Sequence, residues 1–329
     1  MNGSPDKIFC SKCHKHLDIS ELKPFDEFLC PVCGTRLKVP FIFERYYLMD
    51  LCGIGGMSKV YRAIDPVLGI NVAIKITDEN AYESASVGER FTHEAELVAK
   101  INHPGIVRVY RGGIFMNQPY LVMEFMKKGT LEVLQKTFML PPVEKILFWM
   151  AIIADGLYAA SKLGIVHHDV KPANIMLSEE GDVKIGDFDL AEINTDKDAA
   201  ETSGWASLAY VSPERILTGK EDYRGDIFSL GASTYELLTG EYPFGNSGTA
   251  DELLDLRRKC SFEPAHLLNS TVPPAISDFL YEMMAFKPSA RPSYNEVINM
   301  FKSAGKIRHR EHSSKTIFSF FAKNHERNS

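Results

Sequence analysis

The sequence predicts an α+β fold: a cysteine-rich unit, then a β-rich half, then a helical half. Three observations carry this. Four of the six cysteines fall in two C-x-x-C pairs within the first 40 residues. Between about Leu51 and Lys75, alternating and β-branched residues flank glycine-containing turns, and Tyr120 to Met126 is an apolar run, the patterns of strands. Beyond residue 127, long segments such as Val143 to Leu163 carry apolar residues at helical spacing.

Composition narrows the class. A chain of 329 residues has room for two or three domains. With 45% hydrophobic and 24% charged residues it is globular, and its net charge of −6 argues against general nucleic-acid binding, so no specific nucleic-acid partner is expected. Met1 to Lys7 is polar with no apolar core behind it, so no secretory leader is expected. The most apolar segment, Ile146 to Ala160, is shorter than the roughly 20 residues a membrane span needs and carries Asp155. It reads as a buried helix, and no transmembrane segment is expected. The expected location is cytoplasmic, where cysteines more often hold metal than form disulfides.

Residues 1–40 contain Cys10-Ser11-Lys12-Cys13 and Cys30-Pro31-Val32-Cys33-Gly34, separated by sixteen residues. Two such turns can present four thiolates tetrahedrally to Zn²⁺, and the unit resembles a zinc ribbon. So short a segment cannot bury enough core alone, so the metal would supply much of its folding energy. His14 and His16 read as solvated. Pro40 to Tyr47 reads as a linker into the first strand.

Leu51-Cys52-Gly53-Ile54-Gly55-Gly56-Met57-Ser58-Lys59-Val60 reads as a hairpin with a glycine-rich turn, whose backbone amides can approach phosphate oxygens closely. Asp65 to Gly69 turns into the next strand, where Val72-Ala73-Ile74-Lys75 places an ammonium in an apolar run. A buried lysine needs a partner. Arg90 to Lys100 reads as a helix with Phe91, Ala95 and Val98 on one face, and its Glu94 is the preferred partner, with Glu96 the rival. Tyr120 to Met126 reads as a buried strand leading into Lys127-Lys128-Gly129-Thr130.

His167-His168-Asp169-Val170-Lys171-Pro172-Ala173-Asn174, with Asp187-Phe188-Asp189 following, gathers two carboxylates, an ammonium and an amide in a short run. Gly164 to Val166 and Asn174 to Leu177 read as strand edges on either side of its loop. With the glycine-rich turn and Val-Ala-Ile-Lys upstream, this sequence resembles the eukaryotic-type protein kinases in their bacterial form, over roughly Arg45 to Ser303. The resemblance implies a bilobal kinase domain at 45–303, with an N-lobe at 45–126 and a C-lobe at 127–303. The zinc-ribbon-like domain spans 1–40, and a basic tail spans 304–329.

The same resemblance implies the site. Asp169 is the base that positions the substrate hydroxyl, Lys171 contacts the γ-phosphate, and Asn174 and Asp187 hold Mg²⁺. Lys75 pairs with Glu94 and faces the ATP phosphates. Residues Cys52 through Val60 (Cys52, Gly53, Ile54, Gly55, Gly56, Met57, Ser58, Lys59 and Val60) cover the nucleotide in the cleft. Backbone groups of Glu124 and Met126 meet the adenine edge, with Met123 guarding the space behind. Lys171 two residues after Asp169 matches the serine/threonine-specific pattern. The expected activity is ATP·Mg²⁺-dependent phosphorylation of protein Ser/Thr, with Zn²⁺ as a structural metal. The alternative is a pseudokinase, a nucleotide-binding or scaffolding module.

Two departures favour that alternative. His168 stands where the family has an arginine that often pairs with a phosphate on the activation loop. An activation segment independent of phosphate is therefore expected, tolerant of alanine at Thr195, Thr202, Ser203 and Ser207. Asp189 stands where the family has glycine. Tyr210-Val211-Ser212-Pro213-Glu214 ends the segment, with Arg291 the expected partner of Glu214 and Asp226 the expected buried aspartate beneath the catalytic loop. Lys302 to Ser329 holds seven Lys/Arg against two Asp/Glu. It reads as a flexible tail and a candidate for docking a partner or an anionic surface.

Overall fold

A computed structural model describes residues 5–55, 58–77, 95, 97–137, 141–188, 208–245 and 249–305. The chain divides into two compact units, Met1–Gly129 with Met176–Thr195 and Thr130–Ile175 with Asp196–Ser329.

The first unit begins with two short hairpins, β1 (Lys7–Phe9) with β2 (His16–Asp18) and β3 (Glu27–Leu29) with β4 (Arg36–Lys38). Each ends in a cysteine knuckle. Cys10 N–H donates to Lys15 C=O and His14 N–H to Cys10 C=O, and Cys30, Thr35 and Gly34 repeat the pattern. The turn needs left-handed backbone at its fifth position, supplied by Gly34 at φ 71° and by His14 at φ 57°.

A six-stranded sheet follows, β5 (Phe41–Phe43), β6 (Tyr46–Ile54), β7 (Ser58–Asp65), β8 (Ile70–Thr77), β9 (Val109–Phe115) and β10 (Gln118–Glu124), in the spatial order β5-β6-β7-β8-β10-β9. The segment expected as a linker is thus an edge strand. Glu44, at φ 54°, and Arg45 form a turn that folds Phe41–Phe43 back onto β6 and buries Phe43. The turn at Asp65 forms as expected: its Oδ1 accepts from Val67 N–H at 2.9 Å, and Gly69 takes φ 66°.

Strand periodicity sorts the sheet into two faces. Val72, Ile74 and Ile76 join Phe43, Tyr46, Leu48, Tyr120 and Val122 in one core. Ala73, Leu121, Met123 and Met126 join Ala95 and Val107 in the other, with Val60 and Met176 packed against it. Lys75 has the parity of Ala73, and the register sets it between Val60 and Leu121.

Of the expected helix over Arg90 to Lys100, Ala95 and residues 97–99 are described as helical, and Ala95 and Val98 are buried as its face required. A Cβ on Gly112 would meet the Ala95 methyl at 2.5 Å, so glycine permits that packing. Glu94 and Glu96 lie outside the described residues, as do Gly56, Met57, Asp189, Thr195, Thr202, Ser203, Ser207 and the tail from residue 306.

The second unit is helical. The helix Val143–Ser161 contains the apolar segment and packs against Tyr223–Thr239 and Tyr294–Gly305. Among the described residues, no helix is long and apolar enough to cross a membrane. Gly164 to Val166 form no strand. Gly164, at φ 75°, ends the long helix, and Ile165 N–H donates to Ala160 C=O. The helix Tyr223–Thr239 starts where Asp222 caps it by accepting Arg224 N–H.

Candidate active site

In the first unit the glycine-rich turn joins β6 to β7. Gly55 N–H donates to Ser58 C=O at 2.7 Å, and a Cβ at Gly55 would crowd Ser58 Oγ at 3.1 Å. Cys52, Gly53 and Ile54 end β6, and Ser58, Lys59 and Val60 open β7. Lys75 Nζ forms an ion pair with Asp187 Oδ1, joining residues 112 apart in sequence. Asp187 holds a left-handed backbone at φ 63° and follows β12 (Val183–Ile185), which pairs with β11 (Ile175–Leu177). Such a conformation costs a non-glycine residue of order 1 kcal/mol or more.

Below the turn, Val60, Ala73, Met123, Met126 and Met176 cluster. This is an apolar surface of the kind that receives a flat aromatic ring. Met123 also lines a small cavity with Val98, Val107, Leu121 and Phe188. Glu124 N–H donates to Arg108 C=O at 2.9 Å, so of its two backbone groups the carbonyl remains the candidate for a base edge. Its carboxylate is held by Lys184 Nζ at 2.7 and 2.8 Å, a pairing sequence reasoning missed because Lys184 sits in an unremarkable strand sixty residues away. Gly129 N–H closes the turn on Met126 C=O at 3.1 Å.

In the second unit, the Asp169 carboxylate meets Lys171 Nζ at 2.7 Å. Asn174 Nδ2 donates to both the Asp169 backbone oxygen and Oδ2, each at 2.8 Å. The 3₁₀ turn Pro172–Asn174 brings the amide back over the aspartate. Burial works to raise the Asp169 pKa, but the Lys171 charge and the hydrogen bonds from Lys171 and Asn174 outweigh it and hold the carboxyl below its ordinary value. Asp169 is therefore ionised at neutral pH, as a hydroxyl-positioning base requires.

Beneath this loop lies the buried carboxylate of Asp226, which accepts the N–H groups of His167 and His168 at 2.8 Å each. Glu214 and Arg291 form the expected bidentate pair at 2.7 Å, and Arg291 also donates to the carbonyls of Arg224 and Ala285. Glu221 was not anticipated. It lies in a polar loop, Gly219-Lys220-Glu221-Asp222, that reads as solvent-facing, yet its side chain is only 2% exposed.

Away from these groups, the sulfurs of Cys10, Cys13, Cys30 and Cys33 lie within 4.8 Å of one another. Two of the separations are 3.5 Å, Cys10 to Cys33, and 3.6 Å, Cys13 to Cys30. A tetrahedron with Zn–S bonds of about 2.3 Å has edges of about 3.8 Å, so this donor set fits zinc. Hydrogen bonds from the Thr35 hydroxyl and amide draw the Cys33 thiol down to about 6. At Cys13 the Lys15 amide works downward, but burial and the neighbouring sulfurs prevail and push it up to about 12. A divalent cation would relieve that opposition among thiolates. No disulfide joins the six cysteines.

Comparison with known proteins agrees with this chemistry. The family profile described as protein kinase domain matches residues 46–301. The chain is 35% identical to the serine/threonine-protein kinase PknL of Mycobacterium tuberculosis, over 81% of this chain and 67% of that one. It is 39% identical to the serine/threonine-protein kinase PknB of Mycobacterium leprae, over 62% of this chain and 34% of the relative, so it spans about a third of PknB. The crystal structure of a point mutant of the Mycobacterium tuberculosis PknI kinase domain superposes with a TM-score of 0.63 at 21% identity, covering 80% of this chain and 96% of that one, a likeness of fold.

Proposed function

The chain belongs to the protein kinase domain family, as a serine/threonine kinase of the bacterial type, and on that premise we propose how its residues divide the work of phosphoryl transfer. ATP with Mg²⁺ supplies the phosphoryl group and neutralises the charge developing on it. In the first unit, the glycine-rich turn presents backbone amides to phosphate oxygens, and Lys75 adds a positive charge. The Val60, Ala73, Met123 and Met176 surface takes the base. The Lys75–Asp187 pair fits the metal reading, since an ionised carboxylate already beside an ammonium is where a metal and a phosphate would both find their counter-charges. The Glu94 partner of Lys75 remains part of this proposal.

In the second unit, Asp169 accepts the hydrogen bond of the substrate hydroxyl and orients its oxygen for attack. Lys171 stabilises the charge on the transferring group. Asn174 spends its amide N–H groups on Asp169, so its amide oxygen is the atom that would hold Mg²⁺ when the metal is bound. The catalytic contribution is position and charge, since this transition state asks for little covalent chemistry. The observation that carries the reading is the Asp169, Lys171 and Asn174 constellation, with an ionised carboxylate at its centre. The departures at His168 and Asp189 leave Lys75, Asp169, Lys171, Asn174 and Asp187 in place, so the kinase reading is preferred to the pseudokinase alternative.

Zn²⁺ would be held by Cys10, Cys13, Cys30 and Cys33 as a structural metal. Cysteines without disulfides fit a reducing, cytoplasmic setting. The basic tail, outside the described residues, would dock a protein partner or an anionic surface by charge. Protein substrates follow from the reaction.

Transfer from radiolabelled ATP to a protein acceptor, with the sites mapped, tests the reading. The wild type should label Ser and Thr, and Asp169→Asn should lower the rate by about 10² or more. Equal background in both would defeat it.

A further inference from the structure

Glu221 joins parts of the second unit that the catalytic loop depends on. Its Oε1 meets His168 Nδ1 at 3.0 Å and Arg215 Nη1 at 3.3 Å. Its Oε2 accepts the hydroxyl of Ser212, the residue that caps the helix Pro213–Thr218. Arg215, on that helix, also donates to the carbonyl of His168 at 2.5 Å. One buried carboxylate thus ties the loop bearing Asp169 to the end of the segment that precedes the helix.

His168 is itself a special position. It takes φ 67°, a left-handed conformation uncommon outside glycine, though one that histidine tolerates better than most residues. Its surroundings act on every part of the residue: Asp226 on its N–H, Arg215 on its C=O, and Glu221 on its ring. The next residue is Asp169, so what sets the His168 backbone sets where the base points. His168 stands where the resembling kinases have an arginine that receives a phosphate. In this chain the group facing that position is a permanent carboxylate of the chain itself.

The seat for Glu221 is built into the neighbouring helix. A Cβ on Gly225 would lie 1.9 Å from Glu221 Oε2 and 2.3 Å from its Cδ. Glycine there makes room for the carboxylate, and any side chain would evict it from its three partners. Burial, and next the charge of Glu221, push the adjacent Asp226 up to about 7, against the pull of its two backbone donors. That is the mark of two carboxylates crowded beneath one loop.

We propose that Glu221 is a positioning residue for phosphoryl transfer. Its carboxylate holds His168 and Arg215, and through them the backbone that presents Asp169, with no phosphate required on the activation segment. The proposal rests on the reading of Asp169 as the base. It assigns Glu221 no contact with ATP or substrate.

The test uses the full chain and counts kcat per nucleotide-binding molecule by titration with ATP, so that unfolded protein does not enter the rate. Glu221→Gln, nearly isosteric, should lower kcat about ten-fold and leave the KM for ATP within about two-fold. Glu221→Ala and Gly225→Ala should each lower it ~10- to 100-fold, the scale of a misplaced catalytic group. Replacing Thr195, Thr202, Ser203 and Ser207 together by alanine should leave kcat within about two-fold of wild type. A purely structural ion pair would lower the unfolding midpoint of Glu221→Gln while kcat per binding molecule stayed at the wild-type value, and that result overturns the proposal. So does a ten-fold loss in the four-alanine variant, which would show that a phosphate is needed after all. If the wild type itself shows no transfer that Asp169→Asn removes, it is the kinase reading that fails.

Discussion

At the residue scale, the chemistry turns on how Asp169 stays charged while half-buried. Lys171 provides the largest opposing effect to burial and a hydrogen bond as well, with Asn174 adding another. A carboxyl with a depressed folded pKa contributes stability above its unfolded value of about 3.9, and loses it as pH falls through the folded value. Lys171→Met removes both contributions of the ammonium, so the Asp169 pKa must rise. The acid limb of kcat/KM should therefore move to higher pH in the variant, on top of a loss of about 10² to 10³ from the missing charge on the transferring group. A pH profile of kcat/KM between about pH 5 and 8 checks this. A fall in rate with an unmoved limb would mean that Lys171 acts on the phosphate alone. Residue identity was the most legible level of this protein. Lysine two positions after an aspartate and asparagine five after it match the resembling family's motif, and the short turn Pro172–Asn174 brings them together. Glu221 was illegible because nothing local marks it; its meaning comes from Gly225, Arg215 and His168, which meet it only in the fold.

At the element scale, the cysteine unit is seated on the same strands that carry the glycine-rich turn. Lys38 Nζ meets Asp50 Oδ1 at 2.6 Å, and the other Asp50 oxygen receives Arg62 Nε at 2.7 Å. The Phe25 ring stacks on Tyr61 at 6.1 Å, with 13° between their planes. Asp50 lies on β6, and Tyr61 and Arg62 lie on β7, the two strands of the hairpin. The unit's own core is little more than Cys10, Leu17 and Cys30 with Ile8, Phe28 and Leu37 around them, too small to hold without metal. Purified protein should carry about one zinc per chain by elemental analysis. Removing it with a chelator, or by Cys10→Ser with Cys30→Ser, should first raise hydrogen exchange across residues 5–39. A partly exposed ion pair is worth up to about 1 kcal/mol, about five-fold, so the KM for ATP should rise by up to that factor. Zinc-free protein with unchanged exchange would remove the metal from the account. The stretch from Pro40 to Tyr47 shows why element boundaries were harder to read than motifs: its three-residue strand is held by pairing with β6, and pairing partners are not written in a local pattern.

At the scale of the whole molecule, the second unit depends on Glu214 and Arg291, 77 residues apart. The Arg291 side chain is fully buried, and it satisfies the carbonyls of Arg224 and Ala285 as well as the carboxylate. Arg291→Ala would leave a carboxylate and two carbonyls without their donor. The expected loss is about 3–5 kcal/mol, read as a lower denaturant midpoint. A shift below about 1 kcal/mol would place the pair among ordinary surface bridges.

By itself the sequence carried the order of strand-rich and helix-rich halves, the two cysteine knuckles and, through the family its motifs resemble, Lys75, Asp169, Lys171, Asn174 and Asp187 as the proposed chemical groups. The halves and the knuckles follow from periodicity and short spacing, which the backbone converts to geometry within a turn or two. Only the tertiary structure decided that Lys75 meets Asp187, that Glu124 is tied to Lys184, that the cysteine unit leans on β6 and β7, and that Glu221 is buried beneath His168. Each joins residues far apart in the chain. Their encounter depends on strand register and helix packing, which many distant side chains settle together and no local stretch encodes.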